Sequence, residues 1–420
     1  MNFKLSNLIF GIEISSTKVV AVVAEVDENN VISLIGVGRA NPNNGVRNGG
    51  VIVNIDSVSA AINDATLAAE MQAGQPGKYV IIGFSSTNVE SINSNGIVAI
   101  SNPDREIKPN DIDRVIENAK TIQIPVDKEI IHIIPQSYLV DNQDEIKMPI
   151  GMVGRRLECK VHIITCPTSS IQNIERCIER SGLEIENFVL QNIAASKAVL
   201  TDEEKELGVL MLDIGAETTK ASVYYKQYPY YNNIYCPLGG NLITNDIMAG
   251  LKIPVAIAEK IKVSYGIAHE ECLEKGETII IPETASRKEK AIEKEILLSI
   301  IKARLEEMFI TVKNDLRQKK MLDKITSGVV ITGGTSQLIG ITELASDVFN
   351  LPARMGFPKK FSGLGDQLLS PDYAVASGLV IWRAEKYMEE MSGVLKRGDE
   401  DFSKKKNIIR KVKDIFNKFF

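Results

Sequence analysis

The chain has 420 residues, 44% hydrophobic and 25% charged, with a formal net charge of −5; this is globular usage and excludes a chain that is wholly disordered, collagen-like or membrane-embedded. No apolar run approaches the roughly 18–20 residues that cross a bilayer, and Met1–Phe10 has neither the basic start nor the cleavage site of a secretory leader. Five cysteines without a CxxC pair, and three histidines outside HExxH spacing, offer no disulfide frame, zinc site or metallohydrolase signature and fit reduced cytosolic thiols.

In chain order, Leu8–Ile14 is a short apolar run that carries an acid, Glu13, near its end. A polar turn, Ser15-Ser16-Thr17-Lys18, leads into a β-rich run at Val19–Val26, a turn at Asp27–Asn30 and a further strand near Val31–Gly38. Ser91–Ile100 reads as a strand and Pro109–Ile122 as a helix, with Ile112, Val115, Ile116 and Ala119 on one face. Glu129–Val140 and Leu157–Thr165 follow as strands. Then the opening pattern returns: Gly208–Ile214 carries Asp213, the turn is Gly215-Ala216-Glu217-Thr218-Thr219-Lys220, and Ala221–Tyr225 and Ile234–Leu238 are the next strands. Two such meanders at this separation suggest a duplicated domain, two unrelated hairpins being the alternative. A third strand, Gly328–Ile331, opens through Thr332-Gly333-Gly334-Thr335-Ser336 toward a helix from Gly340.

The C-terminus differs from the rest. Lys404–Phe420 holds seven basic residues and one acid, so residues 1–403 carry −11. Ile408, Ile409, Val412, Ile415, Phe416, Phe419 and Phe420 form one helical stripe with basic residues beside and opposite it. After the linker-like Arg397–Asp401, such a helix suits an anionic lipid interface. A docking helix for another protein is the alternative. No basic stacking platform elsewhere supports nucleic acid.

The chemistry offered by the paired hairpins is phosphate binding. Turns rich in Ser, Gly and Thr aim amides and hydroxyls at anionic oxygens. Glu13 and Asp213, one acid per strand end, could hold a Mg²⁺ through its water shell. Gly333 and Gly334 would let backbone approach a ligand closely.

The order of these motifs resembles the actin-like ATPase superfamily and, within it, the FtsA family. The stretches that carry the resemblance include GIEISSTKVVAVV at 11–23, LQNIAASKAVL at 190–200, GVLMLDIGAETTKASVY at 208–224, CPLGGNLITNDIMAGL at 236–251, AEKIKVSYG at 258–266, ARLEEMF at 303–309, GVVITGGTSQLIGITELASDVFNLPARMG at 328–356 and PDYAVASGLVIW at 371–382. The resemblance implies an α/β actin-like fold, with two related subdomains around a nucleotide cleft. Residues 1–84, 166–196 and 371–395 would form subdomain 1A, 197–250 with 328–370 subdomain 2A, and 251–327 subdomain 2B. A β-α-β-β insertion at 85–165 resembles the SHS2-like domain 1C used for head-to-tail filament contacts. A linker at 396–403 would lead to the membrane helix at 404–420.

For ATP the resemblance implies contacts from Ser15, Ser16, Thr17, Lys18, Gly215, Ala216, Thr218, Thr219, Gly239, Gly240, Asn241, Gly333, Gly334, Thr335 and Ser336, with Glu259 and Lys262 at base and ribose. The chain departs from the family pattern where Asp and Gly are usual and Glu13 and Ser15 stand, and where Gly and Asp are usual and Glu217 and Lys220 stand. Lys197 is taken as the helix position where actin-like ATPases place a water-positioning Gln or Glu. ATP binding with slow or absent hydrolysis is therefore expected.

By the same resemblance the chain would be a cell-division adaptor on the cytoplasmic face of the membrane at the septum, binding itself in filaments. It would also bind the C-terminal peptide of FtsZ through Arg304 and Glu307. A type IV pilus assembly scaffold, or a small-molecule kinase of the superfamily, are the alternative readings.

Overall fold

The computed structural model describes residues 7–274, 276–282 and 289–397. Two sheets share one plan. In the first, Leu8–Ile14 pairs antiparallel with Val19–Val26 and parallel with Tyr79–Phe84. Ile32–Ala40 and Ser362–Gly363 extend one side, and Glu184–Leu190 the other. In the second, Val209–Ile214 pairs antiparallel with Thr219–Tyr225 and parallel with Gly328–Thr332, flanked by Tyr228–Tyr235 and Ala353–Met355. The central strands of both sheets are buried along nearly their whole length, which is why they read as continuous apolar runs.

Close approach of helix to sheet needs residues without side chains. Helix Ile55–Ala73 starts at Asn54, whose side chain accepts from the Ser57 amide, and stops at Gly74 in a left-handed conformation. It lies so near Ile32–Ala40 that a Cβ on Gly38 would come within 1.8 Å of the Ala65 carbonyl oxygen. Helix Ala374–Arg397 crosses Gln191–Val199 in the same manner, Gly378 lying against Ala194. The first two residues of the expected linker, 396 and 397, therefore belong to a helix. The helical tail expected at 404–420, with Ile408, Ile409, Val412, Ile415, Phe416, Phe419 and Phe420, lies outside the described residues.

A separate four-stranded sheet, ordered Glu90–Ala99, Arg156–Pro167, Lys128–Val140, Gln143–Ile146 and covered by helix Pro109–Ala119, touches the edge of both main sheets: His132 accepts from the Leu190 amide and Gln136 donates to the Pro229 carbonyl. Its fourth strand is added to the expected β-α-β-β order. Gln143–Ile146 is short and polar, so no alternation marked it. Another expectation shifts: the third strand of the second meander is Tyr228–Tyr235, not Ile234–Leu238, because Pro237 has no amide to donate and the tyrosine-rich run before it pairs instead. The inserted sheet docks through buried polar groups. His162 lies 2.8 Å from Asn93 and 3.1 Å from Asn232, and Asn232 in turn accepts from Asn192 and Ser222. Desolvation pushes the His162 pKa down to about 4, so the ring is neutral there.

Beyond the second sheet, helices Gly240–Leu251, Val255–Tyr265 and Lys294–Gln318 and the hairpin Thr278–Ile281/Lys290–Glu293 complete the outer part of that lobe. Among the described residues no helix is long and apolar enough to cross a membrane.

Candidate nucleotide cleft

The turns of the two hairpins face one cavity of about 550 Å³ between the lobes. Each turn is closed alike: the Ser15 amide donates to the Lys18 carbonyl at 2.9 Å, and the Gly215 amide to the Thr218 carbonyl at 2.8 Å. Among the described residues no protein acceptor pairs with the amides of Ser16, Thr17, Ala216 or Glu217. Those four donors, with the Thr17 and Thr218 side chains nearby, are the groups an anionic chain of phosphates requires.

Of the expected residues, Glu13, Ser15, Ser16, Thr17, Lys18, Asp213, Gly215, Ala216, Thr218, Glu259, Lys262, Gly333, Gly334 and Thr335 line this cavity. Five others stand behind its wall. The Thr219 hydroxyl donates to the Leu238 carbonyl, and the Ser336 hydroxyl to the Gly333 carbonyl at 2.7 Å. Gly239, Gly240 and Asn241 start the helix that holds the second turn, with the Gly240 amide donating to Gly215 and the Asn241 amide to Ala216. Their contribution is to shape the turn.

The charged side chains are mostly spoken for. Lys18 is buried, its ammonium 2.8 Å from the Asp372 carboxylate and 4.8 Å from the centre of the Tyr373 ring. Lys262 joins two helices, donating to Gly240 and Thr244 at 3.1 and 2.8 Å and pairing with Glu259 at 2.7 Å. Lys220 lies 2.8 Å from Asp213, and both are buried. Glu13 has one carboxylate oxygen buried without a hydrogen-bond partner; desolvation raises its pKa, against the attraction of Lys18.

The two acids of the expected magnesium pair differ in their surroundings. One Asp213 oxygen takes Lys220, and the other lies beside Gly333, where a Cβ would come within 2.4 Å. Glu13 keeps a buried, unpartnered oxygen, and among the described residues no cluster of three metal-ligating side chains exists. A divalent ion at Asp213 would have to share that carboxylate with the Lys220 ammonium, so the donor set fits a two-acid cation site poorly.

The Lys197 ammonium pairs with Glu385, away from the cavity. The cleft residue on this helix is Gln191, whose side-chain amide donates to the carbonyls of Ile14 at 2.7 Å and Gly83 at 3.2 Å. Its carbonyl oxygen is buried and unpartnered, free to accept from a water molecule. Six helical residues separate the two positions, about 240° of rotation, so a helix placing Gln191 in the cleft turns Lys197 away.

Sequence reasoning also missed Gly49, Gly50, Arg39 and Asp372 in the lining. The Asn48-Gly49-Gly50 triplet was the available signal: all three have positive φ, and a Cβ on Gly50 would strike the Ser85 carbonyl oxygen at 1.9 Å. Across the cleft mouth, the Gly49 amide donates to Glu217 at 3.4 Å, which draws that carboxylate toward the rim.

Outside the cleft, Arg304 and Glu307 lie on helix Lys294–Gln318. The Arg304 guanidinium is held by both Asp246 oxygens, at 2.5 and 3.0 Å, and also pairs with Glu307.

Comparison with known proteins agrees with this architecture. Residues 86–165 match the profile of the SHS2 domain inserted in FTSA, and residues 210–378 match that of cell division protein FtsA. The cell division protein FtsA of Borreliella burgdorferi is 40% identical over 98% of this chain and 98% of its own length, and that of Pseudomonas aeruginosa 37% identical over 92% and 91%. Among solved structures, one from a PilM-PilN type IV pilus biogenesis complex is similar with TM-score 0.64, 17% identity and coverage of 90% and 98%. MreB5 of Spiroplasma citri bound to ADP is similar with TM-score 0.57, 13% identity and coverage of 92% and 99%. At such identities these two show a shared actin-like fold.

Proposed function

The chain belongs to the FtsA family of cell division proteins, and from that premise we propose that it is a division adaptor: it binds ATP in the cleft, assembles into filaments on the cytoplasmic face of the membrane and tethers FtsZ filaments at the septum. The observation that carries the nucleotide part is the pair of phosphate-sized turns facing one cavity, each closed by the same hydrogen bond and each presenting unpaired amides. The adenosine end would lie toward Gly333–Thr335, Glu259 and Lys262. ATP supplies the phosphoanhydride; Gln191 is the side chain able to orient a water against it. Turnover stays well below the common enzyme value of about 10 s⁻¹ because Ser15 and Glu217 crowd turns that glycine would leave open.

Membrane attachment is assigned to the 404–420 stripe, on sequence grounds: Phe416→Glu places a charge in its apolar face and should abolish binding to anionic vesicles. FtsZ binding is assigned to the Arg304–Glu307 face. Because Arg304 is already clamped by Asp246, a peptide carboxylate must share or displace that clamp, so Arg304→Glu needs Asp246→Asn as its control. Vesicle co-sedimentation of the full chain and of a Δ404–420 form, with and without FtsZ, tests the reading. FtsZ should pellet only with vesicles and the full chain; undiminished sedimentation of the Δ404–420 form would overturn the membrane assignment.

A further inference from the structure

If ATP binds in the cleft as proposed above, its phosphates need a counter-charge there. Asp213 and Lys220 face one another in antiparallel register, so both side chains leave the same face of the sheet. The ammonium is 2.8 Å from the carboxylate, both side chains are less than a tenth exposed, and Lys220 also lines the cavity beside the second turn. The other Asp213 oxygen is pressed against Gly333. An ammonium has three donors, and one bond to Asp213 leaves two for other acceptors. Glu13, in the matching place on the first hairpin, faces the apolar Val20 and keeps a buried, unpartnered oxygen. Of the two acids that could anchor a hydrated divalent ion, one is therefore covered by a fixed cation belonging to the protein.

We propose that Lys220 is a resident cation for polyphosphate: held on Asp213 at the cleft floor, its ammonium supplies the positive charge that a divalent ion would otherwise bring, so nucleoside triphosphate binds this chain with little dependence on Mg²⁺. Without Lys220, the phosphate chain loses this ammonium and its two remaining donors, and Mg²⁺ would have to supply the positive charge instead.

Calorimetric titration of ATP into the full chain, in excess Mg²⁺ and in excess EDTA, tests this. The wild-type dissociation constant should differ by less than about threefold between the two conditions, whereas Lys220→Met should bind at least about tenfold more weakly in EDTA and recover with Mg²⁺. Should Lys220→Met fail to fold with an acid left buried and alone, Asp213→Asn/Lys220→Met removes both charges; it should show the same regained Mg²⁺ dependence, with thermal melting to verify its fold. Wild-type binding that weakens more than about tenfold in EDTA overturns the proposal while leaving ATP binding intact. So does a folded variant that matches wild type in EDTA, which would make the pair structural only. Absence of ATP binding in both conditions overturns the nucleotide reading, and this inference with it.

Discussion

The two hairpins at the cleft are the same device built twice, two hundred positions apart, and they differ in where each keeps its lysine. Glu13 corresponds to Asp213, and the residues opposite them in register are Val20 and Lys220. In the second copy the acid is paired within its own hairpin. In the first, the lysine is at the turn, as Lys18, and reaches out of the hairpin to Asp372, leaving a Glu13 oxygen orphaned. Moving one ammonium two residues along the chain thus converts a self-contained ion pair into a tie between the hairpin and the segment leading into helix Ala374–Arg397. The first copy couples the turn to its surroundings; the second sets the charge of the cleft floor.

Substitutions that trade these features test the comparison. The largest effect is expected from Lys220→Val, which makes the second hairpin a copy of the first and leaves Asp213 buried without its partner; urea denaturation should show a loss of about 3–5 kcal/mol. Adding Asp213→Asn should restore a large part of it, since the two groups act as one unit. Lys18→Met should cost less, about 1–2 kcal/mol by the same measurement, because its partner Asp372 is partly solvated and retains Arg39 at 3.7 Å.

Glu13→Gln should go the other way. The native pKa of Glu13 is raised above its ordinary value of 4.5, so above that pH the folded state binds more protons than the unfolded one and stability falls as pH rises. Replacing the acid removes this penalty: at pH 8 the variant should be more stable than wild type, the gap closing as pH falls toward 4.5. Thermal melts across that range would reveal it. The smallest effect belongs to Glu217→Gly. With the carboxylate drawn toward Gly49 at the rim, ATP affinity should tighten by no more than about threefold in a calorimetric titration.

Much of this geometry was legible in the sequence, unevenly. Leu8–Ile14 and Val19–Val26 have the bounds their apolar runs announce, because strands buried on both faces are apolar almost throughout, with Glu13 and Glu25 the charged exceptions near their ends. The turns were legible through their Ser, Gly and Thr content. Their consequences were less so. That Lys220 neutralises Asp213 follows from strand register, which depends on how the turn closes and not on composition. The cleft position falls on Gln191 and not on Lys197 because helix phase relative to the cleft is fixed by packing against Ala374–Arg397, whose Gly378 lies on Ala194. The Gly49–Gly50 loop escaped notice because its partners, Thr87, Ser85 and Thr218, come from other parts of the chain.

The most direct test of the central claim, that both hairpins grip one polyphosphate, is amide hydrogen exchange on the full chain with and without saturating ATP. Peptides spanning Ser15–Lys18 and Gly215–Thr218 should slow together on adding ATP, since the unpaired amides of both turns gain acceptors. Exchange unchanged in both turns, or slowed in only one, would contradict it.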